Sequence, residues 1–166
     1  MTLGPVLFET DIPSLPVQEL AYQNSILIED SKRGSPMLNP SRHQVLIVED
    51  DAAVRTTLSL LLKASGYEVT TATNGVEALA LLKMRLPAVV LSDLNMPEMS
   101  GFELFSEVRQ RFPKVSLVAM SGAYQTEDAI PGGVIADAFY AKGHGNVRGL
   151  LRIISEMTSE SESRIH

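Results

Sequence analysis

The chain has 166 residues, a formal net charge of −6 and no cysteine. That length gives one domain of ordinary size with a real core. The acidic balance argues against nucleic-acid binding over the domain surface, and the missing thiols exclude disulfides, thiol catalysis and thiolate zinc sites.

Residues 1 to about 43 read as a flexible extension preceding the regular pattern. Pro5, Pro13, Pro16, Pro36 and Pro40 punctuate them, and Ser31 to His43 is polar and linker-like. A docking or dimerising arm is the sharper alternative, with Val17 to Ile28 a candidate short amphipathic element, and Met37 is an alternative start of translation. The N-terminus lacks the basic region of a signal peptide. Apolar runs such as Leu58 to Leu62 are too short to span a bilayer. A cytoplasmic protein with no membrane association is expected.

Regularity begins at Val45 to Val48, an all-apolar run closed by Glu49, Asp50 and Asp51. Asp51 or Asp50 can N-cap a helix from Ala52 to about Ser65, with Val54, Leu58, Leu61 and Leu62 inward and Gly66 as its C-terminal stop. Tyr67 to Ala72 alternates and is rich in β-branched residues, so it predicts a strand. Asn74-Gly75 turns the chain into a helix marked by Val76, Leu79 and Leu82 that stops before Pro87. Ala88 to Asp93 is a buried strand delivering a carboxylate to its carboxyl end. A helix from about Phe102 to Arg111 follows, with Phe102, Phe105 and Val108 inward, and then a strand, Val115 to Met120, ending at Ser121-Gly122.

Alternation asks for a helix between Ala123 and Ala136, but Pro131-Gly132-Gly133 cuts through it. A proline in a helix interior costs about 3 kcal/mol, so a short or irregular helix is expected there. Asp137 to Ala141 is a short strand ending at Lys142, and the last helix runs from about Val147 to Met157. Residues 158–166 read as a polar, frayed tail. Strands alternating with helices predict an α/β fold: a doubly wound, five-stranded parallel sheet with helices on both faces, spanning residues 44–157.

In such a sheet, chemistry collects at the carboxyl ends of the strands. Those ends carry Glu49 and Asp50, Asp93, Ser121 and Lys142. Carboxylates about 4 Å apart repel by roughly 4 kcal/mol at an effective dielectric of 20, so three of them need a cation. All-oxygen ligands suit Mg²⁺, which takes one or two carboxylates plus phosphate oxygens. With Lys142 as a second positive charge and Ser121 as a hydrogen-bond donor, the set suits phosphoryl transfer to Asp93. Asp51 reads as the helix cap. His43, His144 and His166 have no metal-ligand spacing, although His144 lies near Lys142 in sequence.

VLIVEDD at Val45 to Asp51, DLNMPEMSG at Asp93 to Gly101, Ser121-Gly122 after one strand and Lys142 after another resemble the receiver domain of bacterial two-component response regulators. The resemblance covers roughly residues 43 to 157. It implies a flavodoxin-like strand order 2-1-3-4-5, with Asp93 as phosphoacceptor and Glu49 and Asp50 as the acidic pair at Mg²⁺. It further implies the Asn95 backbone carbonyl as a metal ligand, Ser121 as switch hydroxyl, Lys142 as the family's lysine and Phe139, rather than its neighbour Tyr140, as switch aromatic. Two departures stand out: Lys142 is followed by Gly143 where the family usually has proline, and Pro131-Gly132-Gly133 interrupts the fourth helix.

The expected function is that of a stand-alone response regulator. It would take phosphate from a histidine kinase or histidine phosphotransfer protein, and signal by protein–protein contact with an output protein yet to be named or act as a phosphorelay or sink. Apart from self-phosphorylation and slow loss of the phosphate it is not expected to be an enzyme. No DNA-binding domain is expected, and a homodimer is left open. The enzymatic rival, a haloacid-dehalogenase-like phosphohydrolase, needs an Asp-x-Asp nucleophile after the first strand, and Glu49-Asp50-Asp51 lacks it. The other rival is a pseudo-receiver that binds partners without being phosphorylated.

Overall fold

The computed structural model describes residues 43–130, 132–143 and 145–163. The expectations for the N-terminal extension, Pro131, His144 and the last three residues lie outside that set.

The elements run β1 (Gln44–Val48), α1 (Ala52–Ala64), β2 (Glu68–Ala72), α2 (Gly75–Met84), β3 (Val89–Asp93), α3 (Gly101–Arg111), β4 (Ser116–Ser121), a 3₁₀ turn (Glu127–Ala129), β5 (Ala138–Ala141) and α4 (Val147–Ser163). All strands pair in parallel, in the order β2-β1-β3-β4-β5. This is the flavodoxin-like architecture expected, with α-helices in four of the five helical places. Among the described residues, no helix is long and apolar enough to cross a membrane.

The central strands β1, β3 and β4 are largely apolar on both faces because both faces are covered. Leu46, Val48, Val90, Leu117 and Ala119 pack with Ala78 and Leu82 of α2 and Leu104, Phe105 and Val108 of α3. Val45, Ile47, Val89, Leu91, Val118 and Met120 pack with Leu58 and Leu62 of α1 and Leu150, Ile154 and Met157 of α4. The register pairs Val48 with both Ala72 and Ser92, and Asp93 with Met120. Glu49 and Asp93, each one step further, therefore emerge level on neighbouring strands.

Helix starts follow local chemistry. Asp51, and not Asp50, is the N-cap of α1, its carboxylate accepting from the Ala53 and Val54 amides at 2.8 and 2.9 Å. Those two amides hold its pKa below the ordinary carboxylate value. At its other end the cap is Ser65, and Gly66 follows with φ 93°. Asn74 is more than a turn residue: its side chain accepts from the Glu77 amide and caps α2.

Ser100 and Glu103 form a reciprocal capping box at α3. Ser100→Ala is expected to lower stability by about 1 kcal/mol, read from urea midpoints. The Ser100 amide and hydroxyl hold the Glu103 carboxyl below its ordinary value. A depressed folded-state pKa contributes stability above the unfolded-state value that is lost as pH falls through the folded one. The difference between Ser100→Ala and the parent should therefore narrow in acid, while an unchanged gap would mean that the hydroxyl bond to Glu103 contributes nothing, the amide bond being common to both proteins.

Three helical expectations are corrected. In α2, Val76 is exposed and Ala78 is buried, the small side chain allowing close approach to the sheet. In α3, Leu104 is buried with Phe105 and Val108, while Phe102 is only half-buried. The last helix runs past Met157 to Ser163. The stretch contains no Gly or Pro to stop it, and the Thr158 and Ser159 hydroxyls donate to carbonyls one turn back.

Among its described residues the fourth crossover contains a 3₁₀ turn and no α-helix. Ile130 follows it with φ −80° and ψ 116°, the extended backbone favoured before a proline. Gly132 and Gly133 have φ 80° and 74°, and two successive left-handed residues cannot propagate a right-handed helix. The segment is anchored instead by buried Ile130 and by Asp137. The Asp137 carboxylate accepts from the Leu117 amide at 2.7 Å and from Arg109 at 2.9 Å.

Candidate functional site

Each strand of the sheet's centre ends on a polar residue at one edge. Glu49 follows β1, its amide donating to Ala72 O on β2, and it is 1% exposed. Asp50 is exposed beside it. Asp93 is the last residue of β3 and 6% exposed. Carboxylate oxygens of Glu49, Asp50 and Asp93 lie within 4.8 Å of one another.

Lys142 reaches this group from the end of β5. Its amide donates to Ser121 O at 2.7 Å, which fixes the stem of the side chain against β4. Its ammonium lies 2.7 Å from Glu49 Oε2 and 3.2 Å from Asp93 Oδ2. The residue after it, Gly143, has φ 93°. Glycine adopts this backbone without steric penalty, and the turn away from the lysine is made without a proline.

The electrostatics follow from burial. Burial pushes the Glu49 carboxyl above its ordinary pKa, with the Lys142 ammonium working against that rise. Burial alone would lower the Lys142 pKa, but the hydrogen bond to Glu49 and the charges of Asp93 and Glu49 outweigh it and hold it above the ordinary value. The ammonium therefore stays charged. One ammonium still leaves three carboxylates undercompensated, and the donors are all oxygen. That is the chemistry a hard divalent cation meets, and the residues present fit Mg²⁺.

The other expected residues surround this centre. Ser121 ends β4, fully buried, and its hydroxyl accepts from the Ala123 and Tyr124 amides at 3.1 and 3.2 Å, folding the loop over it. Asn95 is exposed in the loop after β3. Phe139 lies half-buried on one face of the sheet, packed with the cluster that includes Ile130, Tyr124 and Val134. Tyr140 faces the opposite side, its hydroxyl donating to Gly145 O at 3.0 Å.

Three supports of the site were not legible beforehand. Arg55, on α1, donates from one nitrogen to the carbonyls of Glu49 and Asp50 at 2.7 and 3.1 Å. Glu98 sits in the loop after β3 with φ 66°, unusual for a residue with a side chain, and accepts from Asn74 at 3.0 Å. In the sequence Gly101 is only the last residue of the DLNMPEMSG stretch, yet a Cβ there would lie 2.2 Å from the Asp93 carbonyl oxygen. Only Gly101 carried a sequence signal, as a glycine at a helix start where a close approach is common.

Comparison with known proteins agrees with this geometry. The family described as response regulator receiver domain matches residues 45–140. A 14.6 kDa protein of Leptolyngbya boryana is 38% identical over 94 residues, 54% of this chain and 72% of its own. The cell cycle response regulator CtrA of Brucella ovis is 35% identical over 100 residues, 60% of this chain; the match spans 43% of that relative's length. Among solved structures, a CheY-like receiver domain protein of Methanospirillum hungatei is 30% identical, with 75% of this chain and 99% of that one covered and a TM-score of 0.65. The response regulator TrrA of Thermotoga maritima, solved in complex with Mg²⁺–BeF, is 27% identical, with 69% and 98% covered and a TM-score of 0.63.

Proposed function

The chain belongs to the response regulator receiver domain family, a family of two-component signal transduction, and on that premise we propose that it is a phosphorylation-driven switch whose phosphoacceptor is Asp93. The phosphoryl donor is a histidine kinase or a histidine phosphotransfer protein. The observation that carries this is the meeting of Asp93 with Glu49, Asp50 and the Lys142 ammonium at the carboxyl edge of the sheet.

Glu49, Asp50, Asp93 and the Asn95 backbone carbonyl would hold Mg²⁺, and the complex of a relative with Mg²⁺–BeF supports that assignment. When bound, the ion neutralises the carboxylates and stabilises charge on the phosphoryl oxygens. An Asp93 carboxylate oxygen attacks the phosphorus of the phosphohistidine. A P–O bond forms, the P–N bond breaks, and the imidazole leaves with the bonding pair. Lys142 pairs with the oxygens of the transferred group, compensating charge that repels the two acids beside it. The product is an acyl phosphate, reactive enough to be reversible.

Phosphorylation adds about 1.5 to 2 negative charges at Asp93. Ser121 has two amides of its loop, those of Ala123 and Tyr124, bound to its oxygen and keeps its proton to donate to the new phosphoryl oxygens. Movement of Ser121 draws the loop through Ala123 and Tyr124, and Phe139 repacks against Tyr124. Output follows as contact with a partner protein, or as onward transfer of the phosphate in a relay.

The test is incubation with Mg²⁺ and a small acyl-phosphate donor, read by intact mass. A single phosphoryl adduct, lost when EDTA replaces Mg²⁺, is expected. Mg²⁺ at ten times its dissociation constant should also raise stability by about 1.4 kcal/mol, seen as a higher melting temperature. No adduct and no thermal effect of Mg²⁺ would leave a partner-binding pseudo-receiver, and sustained turnover of phosphate esters would point to a hydrolase.

A further inference from the structure

Arg55 stands where helix electrostatics disfavour it. It lies in the first turn of α1, four residues after the Asp51 cap, with its own amide bonded to Asp51 O at 2.9 Å. The positive end of the helix dipole is there, and a cation is better placed at the other end. Its guanidinium nonetheless turns back over the helix start and donates from one nitrogen to the carbonyls of Glu49 and Asp50. Those are the two residues that carry the acidic pair, and they sit on a loop between strand and helix where, among the described residues, the Glu49 amide bond to Ala72 is the one ladder bond they make. The Arg55 charge also favours the ionised Asp51 and Glu77 carboxylates nearby, but the two carbonyl bonds are what tie it to the loop of the acidic pair.

We propose that Arg55 is a positioning residue for the metal site: by tying two successive carbonyls it sets the backbone of the Glu49–Asp50 loop and so the directions of both carboxylates. The inference rests on the Mg²⁺-dependent reading of the site. Groups that orient metal ligands without touching the metal typically contribute 10- to 100-fold to affinity. The sign of the effect separates this role from plain electrostatics. A guanidinium near a cation site repels the cation, so removing it for electrostatic reasons alone would tighten binding. Loss of the loop clamp loosens it.

The experiment is calorimetric titration of the full chain with MgCl₂, for the parent, Arg55→Ala and Arg55→Lys, with melting temperatures of all three measured in EDTA. Arg55→Ala is expected to bind Mg²⁺ about tenfold more weakly, with Arg55→Lys recovering part of the loss through its shorter reach to the same carbonyls. If Arg55→Ala fails to fold, Arg55→Gln, which keeps a single donor group, takes its place in the same comparison. Unchanged or tighter Mg²⁺ binding in the alanine or glutamine variant overturns the positioning role, as does a lowered melting temperature with an unchanged dissociation constant. A parent protein that binds no Mg²⁺ overturns the functional reading itself and this inference with it, so the two failures are distinct.

Discussion

Asp93→Asn is expected to reduce the phosphoryl adduct from an acyl-phosphate donor to an undetectable level while leaving the protein folded. The amide is nearly isosteric with the carboxylate, but its oxygen is not a nucleophile and its nitrogen is a donor. Every other element of the site stays in place: Glu49 keeps its 2.7 Å bond to Lys142, and Asp50 keeps its exposure. The pocket loses one of three carboxylates, which relieves its repulsion with Glu49 and with the exposed, solvent-screened Asp50. Part of that relief is offset by the lost contact between Lys142 and Asp93 at 3.2 Å. A melting temperature close to that of the parent, combined with complete loss of the adduct, would locate the defect in chemistry. Retention of the adduct in Asp93→Asn would mean that another residue accepts the phosphoryl group.

The second large effect is expected at Gly101, where the fold and the site share a single close contact. Its amide donates to Leu94 O at 3.1 Å, and a Cβ at this position would come 2.2 Å from the Asp93 carbonyl oxygen and 2.9 Å from Leu94 Cα. Both are backbone atoms at the end of a fully buried strand, so neither can move aside as the tip of a side chain would. Gly101→Ala must push the start of α3 away from β3, or displace Asp93. Overpacking of this kind costs about 3 kcal/mol, a fall in melting temperature of roughly 10 °C for a domain of this size. Gly122 supplies the control, since a Cβ there meets nothing within 4 Å. Gly122→Ala should shift stability by less than about 0.5 kcal/mol. Equal melting temperatures for the two variants would show that the close approach at Gly101 is not a constraint.

The sheet was legible because buried parallel strands are apolar on both faces. VLIV at Val45 to Val48 and AVVLSD at Ala88 to Asp93 admit no other placement, and the polar residue that ends each run is by construction at the carboxyl edge. For this reason the strand ends carrying Glu49, Asp93, Ser121 and Lys142 are legible from the sequence alone. Helix faces were less legible. Phe102, Leu104, Phe105 and Val108 allow two stripes at helical spacing, and the choice between Phe102 and Leu104 depends on how Gly101 seats the helix on the Asp93 carbonyl. The exchange of Val76 for Ala78 has a similar origin, in an approach distance that periodicity does not encode.

Alternation favoured a helix in the fourth crossover, whereas Gly132 and Gly133 in left-handed backbone and the Asp137 anchor hold a different path. Arg55 was invisible for another reason. Its role depends on a long side chain folding back on a loop six residues earlier, and neither charge pattern nor spacing announces such a contact.

Chemical mapping of the acceptor tests the assignment of Asp93 most directly. Protein treated with an acyl-phosphate donor and Mg²⁺ is reduced with borohydride, which converts an aspartyl phosphate into homoserine, and the digest is sequenced by mass spectrometry. Homoserine is expected at position 93, with no reduced residue at any other carboxylate. Homoserine at Asp50 or Asp51, or the five-carbon alcohol 2-amino-5-hydroxypentanoic acid at Glu49, in place of homoserine at position 93, would contradict that assignment, as would no reduced residue anywhere under conditions that modify an active receiver domain run in parallel.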